Sequence, residues 1–158
     1  MINILKNKIP VRLLIIGNGN QKNHLNNYIN KKKLDKFIKI IPYQKNPYGY
    51  YKKTNIFLLT SVYEGLPNVL LEATLFKNLC ISYKCKSGPK EILNNGKGGL
   101  LINTFNYKKM ANEIFKYHYT NNKKKYKNMT DSSFFNLKKY DCQNQLHKYE
   151  KLIYNYLK

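Results

Sequence analysis

Five short apolar runs recur along the chain, at residues 11–16, Ile38–Ile41, residues 56–60, Leu79–Tyr83 and Leu100–Ile102, each followed by turn residues. Runs this short and this rich in branched side chains suit parallel strands buried on both faces better than helices. The intervals between them carry helical spacing instead. Residues 21–32 place Leu25, Tyr28 and Ile29 on one side, and the tyrosine-rich residues 47–53 form a short covering helix. Val69, Leu70, Leu71, Ala73 and Leu75 form an apolar stripe behind Pro67, which the pattern places at the first helical position. Beyond Asn106, Met110, Ala111, Ile114 and Phe115 share a face, and Leu146, Tyr149, Leu152, Ile153 and Tyr156 repeat the pattern in a helical tail over residues 121–158. Strands alternating with helices predict an α/β fold, a doubly wound parallel sheet, as one domain over residues 1–158.

The chain has 158 residues, 42% of them hydrophobic, which is enough for one domain with an ordinary core. Residues 1–10 read as the tail of a helix whose beginning is absent. They hold no continuous apolar segment of signal-peptide type, and no run approaches the roughly 18 residues of a membrane span, so a cytoplasmic location is expected. A net charge of +21 would ordinarily point to nucleic acid or an acidic membrane. The lysines are spread along the chain beside equally heavy use of Asn, Tyr and Ile, so a solvated lysine surface is favoured and no specific nucleic-acid partner is expected. Cys80, Cys85 and Cys142 are odd in number and lack metal-ligand spacing, and His24, His118 and His147 stand alone, so reduced thiols and no metal site are expected.

The run at residues 56–60 leads into Ser61-Val62-Tyr63-Glu64-Gly65-Leu66-Pro67-Asn68-Val69-Leu70-Leu71-Glu72. A strand passing through a short loop into a helix leaves free N–H groups, on Asn68 and Val69 among others, at the positive end of the helix dipole, which favours an anion. Eight positions put Glu64 and Glu72 about 80° apart if both lay on one helix, so they fit a loop residue and a helix residue flanking one ligand better than a same-face pair. A diphosphate flanked by two acceptor side chains implies a ligand that also carries hydroxyl donors, as a nucleotide sugar does. Two further turns share the carboxyl side of the strands, where open α/β sheets bind ligands. Gly17-Asn18-Gly19 is either a tight turn or a place of close backbone approach, and Ser87-Gly88-Pro89 reads as the N-cap and first turn of another helix. Tyr43, in Pro42-Tyr43-Gln44, reads on its own as a packing aromatic.

The string from Ser61 to Ala73 resembles the signature of the retaining glycosyltransferases of family four, which have the GT-B fold. Leu13-Leu14-Ile15-Ile16-Gly17-Asn18-Gly19 before it, and Ser87-Gly88-Pro89-Lys90-Glu91-Ile92-Leu93 and Gly98-Gly99-Leu100-Leu101 after it, agree in order. The resemblance covers residues 11–115 and implies a Rossmann-like, donor-binding C-terminal half. It implies that Glu72 accepts from the ribose hydroxyls, that Glu64 accepts from the transferred sugar, and that N–H groups of Gly65, Leu66 and Asn68 around Pro67 touch sugar and phosphate. By the same likeness Tyr43 would help receive the base, and Gly17 and Ser87 would border the donor.

The implied reaction is transfer of a hexosyl group from a nucleotide diphosphosugar, a uridine donor favoured, to the hydroxyl of a glycan or lipid-linked acceptor, with retention. It needs no cofactor beyond that substrate. Surface glycan or lipopolysaccharide assembly is the implied setting, with peripheral contact on the inner face of the membrane. The tail would pack back across a hinge. The family's Arg and Lys phosphate clamp and its N-terminal acceptor domain have no counterpart in these 158 residues. A donor-binding module or truncated transferase is therefore expected, weak or inactive alone unless a separate chain supplies the other half; no catalytic residue is assigned. The alternatives are a non-catalytic basic module for nucleic acid or acidic membrane, and an inactive remnant.

Overall fold

The computed structural model describes residues 1–121 and 123–157. In chain order the elements are α1 (Ile2–Leu5), β1 (Leu13–Ile16), α2 (Lys22–Lys31), β2 (Ile38–Ile41), α3 (Tyr48–Lys53), β3 (Ile56–Leu59), α4 (Asn68–Leu75), β4 (Leu79–Tyr83), α5 (Pro89–Ile92), β5 (Leu100–Ile102), α6 (Tyr107–Tyr119), α7 (Lys123–Asn136) and α8 (Cys142–Tyr156). Every strand pairing among the described residues is parallel. β1 pairs with β2 with Leu13 opposite Ile38, and β3, β4 and β5 form a second ladder with Ile56 opposite Leu79 and Ile81 opposite Leu100.

The chain divides into two compact units, Met1–Gly49 with Asn106–Asn121, and Tyr50–Phe105 with the chain beyond residue 122. In the first, Ile2, Ile29 and Leu34 form a small core to which β1 and β2 contribute Leu13, Ile38 and Ile40. α1 packs against α6, whose amino end is closed by the Asn106 side chain accepting from the Lys109 N–H at 2.9 Å. Glu113 is buried on α6 and takes ion pairs from Lys109 at 3.3 Å and Lys116 at 3.1 Å. Burial works to raise its carboxyl group, but the hydrogen bonds from the two lysines prevail and hold it below its ordinary value.

In the second unit β4 is the central strand and all five of its residues are buried. The sequence Leu79-Cys80-Ile81-Ser82-Tyr83 explains this: it carries no charge, and Ser82 returns its hydroxyl to the Tyr83 carbonyl at 2.9 Å. α4 and α7 both pack on β4. Tyr51, Leu59, Leu70, Ala73, Cys80, Ile92 and Leu93 make the core, with Phe57 and Phe76 against it. Two asparagines fasten loops to this core. Asn78 donates to the Tyr51 and Thr54 carbonyls at 3.0 and 2.7 Å, and Asn136 donates to Glu91 and Ile92 at 2.9 Å each. α8 is helical, as its spacing predicts, but carries no buried residue. No helix among the described residues is long and apolar enough to cross a membrane.

Candidate functional site

β3 and β4 are parallel neighbours, so the loops at their carboxyl ends emerge side by side. The loop after β4 grips the loop after β3 at three points. The Cys85 thiol donates to the Ser61 carbonyl at 3.2 Å, and the Ser87 hydroxyl donates to the Glu64 carbonyl at 2.9 Å. Gly88 follows at φ 77°, where a Cβ would stand 2.2 Å from the Gly65 carbonyl oxygen and 2.7 Å from Pro67 Cδ. Only glycine permits that approach. Burial, reinforced by the negative charge of Glu64, pushes the Cys85 thiol up from its ordinary range, so the group stays protonated and keeps its hydrogen to donate.

Two local expectations are corrected. Ser87 does not cap the helix that follows it; Gly88 precedes α5, which has no side-chain cap, because the Ser87 hydroxyl is committed to Glu64. Pro67 is not the first helical residue. It is the N-cap, extended at φ −72° and ψ 101°, and α4 starts at Asn68. The shift of one position keeps the chemistry: the N–H groups of Leu70 and Leu71 both turn back to the Pro67 carbonyl, at 2.9 and 3.3 Å. Those of Asn68 and Val69 have no hydrogen-bond acceptor among the described residues, so they stay available at the positive end of the helix.

Glu72 lies on the second turn of α4, where helical side chains lean toward the amino end. The Tyr51 hydroxyl lies 3.0 Å from Glu72 Oε2 and 3.3 Å from the Val69 carbonyl. Glu72 also lines an open groove of about 510 Å³ together with Leu71, Leu75, Leu137, Tyr140 and Asn144. Glu64 does not line that groove. It stands on the other side of Pro67, in the stretch held by Ser87 and beside Cys85. The structure thus brings Glu64, Gly65, Pro67 and Ser87 together, with Leu66 and Asn68 exposed beside them, and places Glu72 on the helix they lead into.

Gly17 and Tyr43 belong to the other unit. The Gly17 N–H donates to the Ile41 carbonyl at 3.1 Å and prolongs the β1–β2 ladder; a side chain there would meet no atom within 4 Å. Packing leaves room for a side chain, but the backbone at φ 153° is one that glycine adopts most readily. Tyr43 is 67% exposed, so its expected role as a packing aromatic is not met. Sequence reasoning missed Tyr51, Cys85 and Gly88 as site-forming residues. Gly88 could have been found from its position beside Ser87 and Pro89; Tyr51 is one of four tyrosines between residues 43 and 51, and spacing alone does not separate it from the rest.

The model of the family described as glycosyl transferases group 1 matches residues 1–133. The chain belongs to this family. It is 43% identical over 82 residues to an uncharacterized glycosyltransferase of Methanocaldococcus jannaschii, a match covering 52% of the chain and 20% of that protein. It is 37% identical over 97 residues to the amylovoran biosynthesis glycosyltransferase AmsD of Erwinia amylovora, covering 60% of the chain and 28% of AmsD. Among solved structures, a mutant of S. aureus TarM in complex with UDP, alpha-GlcNAc-glycerol and Fondaparinux superposes with a TM-score of 0.83 at 25% identity, over 95% of the chain and 30% of TarM. The chain therefore spans between a fifth and a third of these relatives. Its architecture is the Rossmann-like α/β architecture of the GT-B glycosyltransferases.

Proposed function

We propose that this family member is the donor-binding portion of a retaining hexosyltransferase, of the family-four kind, that takes a nucleotide diphosphosugar. The observation that carries the reading is the turn from β3 into α4, which leaves the Asn68 and Val69 N–H groups unpaired between Glu64 and Glu72. In this reading the diphosphate lies against those two N–H groups and against the backbone of Gly65 and Leu66. Glu72 accepts from the ribose hydroxyls and Glu64 from hydroxyls of the sugar, since a carboxylate only accepts. As the bond to the anomeric carbon lengthens, negative charge collects on the departing phosphate. Donors already aimed at it lower the barrier, single donors in other enzymes contributing about 3 to 4 kcal/mol.

A uridine donor is favoured because the TarM structure holds UDP. A glycan or lipid-linked acceptor at the inner membrane surface is favoured because AmsD is an amylovoran biosynthesis enzyme and other relatives are lipopolysaccharide galactosyltransferases. The acceptor half comes from polypeptide outside these 158 residues, on the same chain or a separate one. The test is thermal unfolding with uridine, guanosine and adenosine diphosphosugars. One of them at a hundredfold its dissociation constant should stabilise the chain by about 2.7 kcal/mol, and Glu72→Ala should abolish the effect. No stabilisation by any of them overturns the proposal.

The charge of +21 favours a second reading, a basic module that holds polyanions. It predicts affinity that falls steeply with salt and is indifferent to Glu72→Ala.

A further inference from the structure

Tyr51 is buried at 8% exposure in the middle of the second unit's core, yet the one polar atom of its side chain is spent at the edge of the candidate site. Its ring lies parallel to Phe76 at 5.7 Å between centroids and tilted against Phe57 at 5.8 Å. Its carbonyl takes hydrogen bonds from Asn78 at 3.0 Å and Thr54 at 3.1 Å. Both backbone and ring are thus fixed by groups that have no part in the site. The hydroxyl that this frame presents lies 3.0 Å from Glu72 Oε2. A phenol carries a single hydrogen, and the carboxylate oxygen is both the nearer acceptor and the stronger one, the Val69 carbonyl standing at 3.3 Å.

We infer that Tyr51 is a positioning residue for Glu72: its hydroxyl pins one carboxylate oxygen to the core and leaves the other to receive a ribose hydroxyl of the bound nucleotide. The inference rests on the donor-binding reading above and adds to it a reason why the half-buried Glu72 side chain is held in one orientation. A glutamate has three side-chain torsions, and an unpinned carboxylate would spend binding free energy on ordering. Pinning by a rigid aromatic makes that ordering part of folding. The pin also leaves acceptor capacity in place, since a carboxylate offers about four lone-pair sites and Tyr51 occupies one.

The test compares uridine, guanosine and adenosine diphosphates with their 2′-deoxy counterparts by titration calorimetry on the chain and on Tyr51→Phe, which deletes the hydroxyl and keeps the ring. The unaltered chain should prefer the ribo form of its nucleotide by about tenfold, the worth of one good hydrogen bond to a charged group. Tyr51→Phe should cut that preference to about threefold or less while the deoxy form binds as before, a pattern that loosened packing would not give because it weakens both ligands alike. In a Glu72→Gln background the same substitution should change nothing further. If Tyr51→Phe keeps the full ribo preference, or weakens both forms equally, the positioning role is wrong. If the unaltered chain binds none of the nucleotides, or Glu72→Gln keeps the ribo preference, the fault lies instead in the parent reading.

Discussion

A methyl group added at Gly88 would stand 2.2 Å from the Gly65 carbonyl oxygen, on a backbone already at φ 77°. Gly88→Ala should therefore cost about 2 to 4 kcal/mol, from positive-φ strain together with forced separation of the two loops. Urea unfolding measures it, and nucleotide-induced stabilisation should disappear in the same variant. Ser87 makes a milder case. Ser87→Ala loses one hydrogen bond to the Glu64 carbonyl, worth about 1 kcal/mol, and Ser87→Thr should restore most of it because the hydroxyl is kept. Both Ser87 and Gly88 stood out in the sequence as turn residues, but their task did not. Ser-Gly-Pro before an apolar stretch is equally the signature of a capped helix, and only the parallel pairing of β3 and β4 brings Glu64 within reach.

Among the elements, α4 and α8 show how far an apolar stripe informs. Each has the spacing of an amphipathic helix, yet Leu70 on α4 is fully buried, whereas Leu146, Tyr149, Leu152 and Ile153 on α8 are all more than half exposed. Leu70→Ala should cost about 2 to 5 kcal/mol in chemical unfolding, since the cavity opens in the core shared with Leu59, Cys80 and Ile92. Leu152→Ala should change stability by no more than about 0.5 kcal/mol in the isolated chain. A loss there as large as at Leu70 would mean that α8 is packed in solution. The stripe predicted both helices correctly, because periodicity reports which residues share a face. It does not report what lies opposite.

For the molecule as a whole, acid should act through Glu113. Its folded-state value is lowered, so the Lys109 and Lys116 pairs contribute stability above the ordinary glutamate range, about 4.3, and lose it as pH falls through the lower folded value. The urea midpoint should drop as pH falls below the ordinary glutamate range, and Glu113→Gln should flatten that drop. The strand and helix order, the parallel pairing and the strand-to-helix turn at Pro67 were legible from the chain by itself, because short branched runs between amphipathic stretches leave few other folds. Which loop braces which, the hydrogen bond from Tyr51 to Glu72, and the placing of Glu72 but not Glu64 on an open groove came only with the tertiary structure. The Tyr51–Glu72 and Ser87–Glu64 hydrogen bonds join residues 21 and 23 positions apart in sequence, and side-chain patterning constrains faces of elements, not the distances between loops that separate strands bring together.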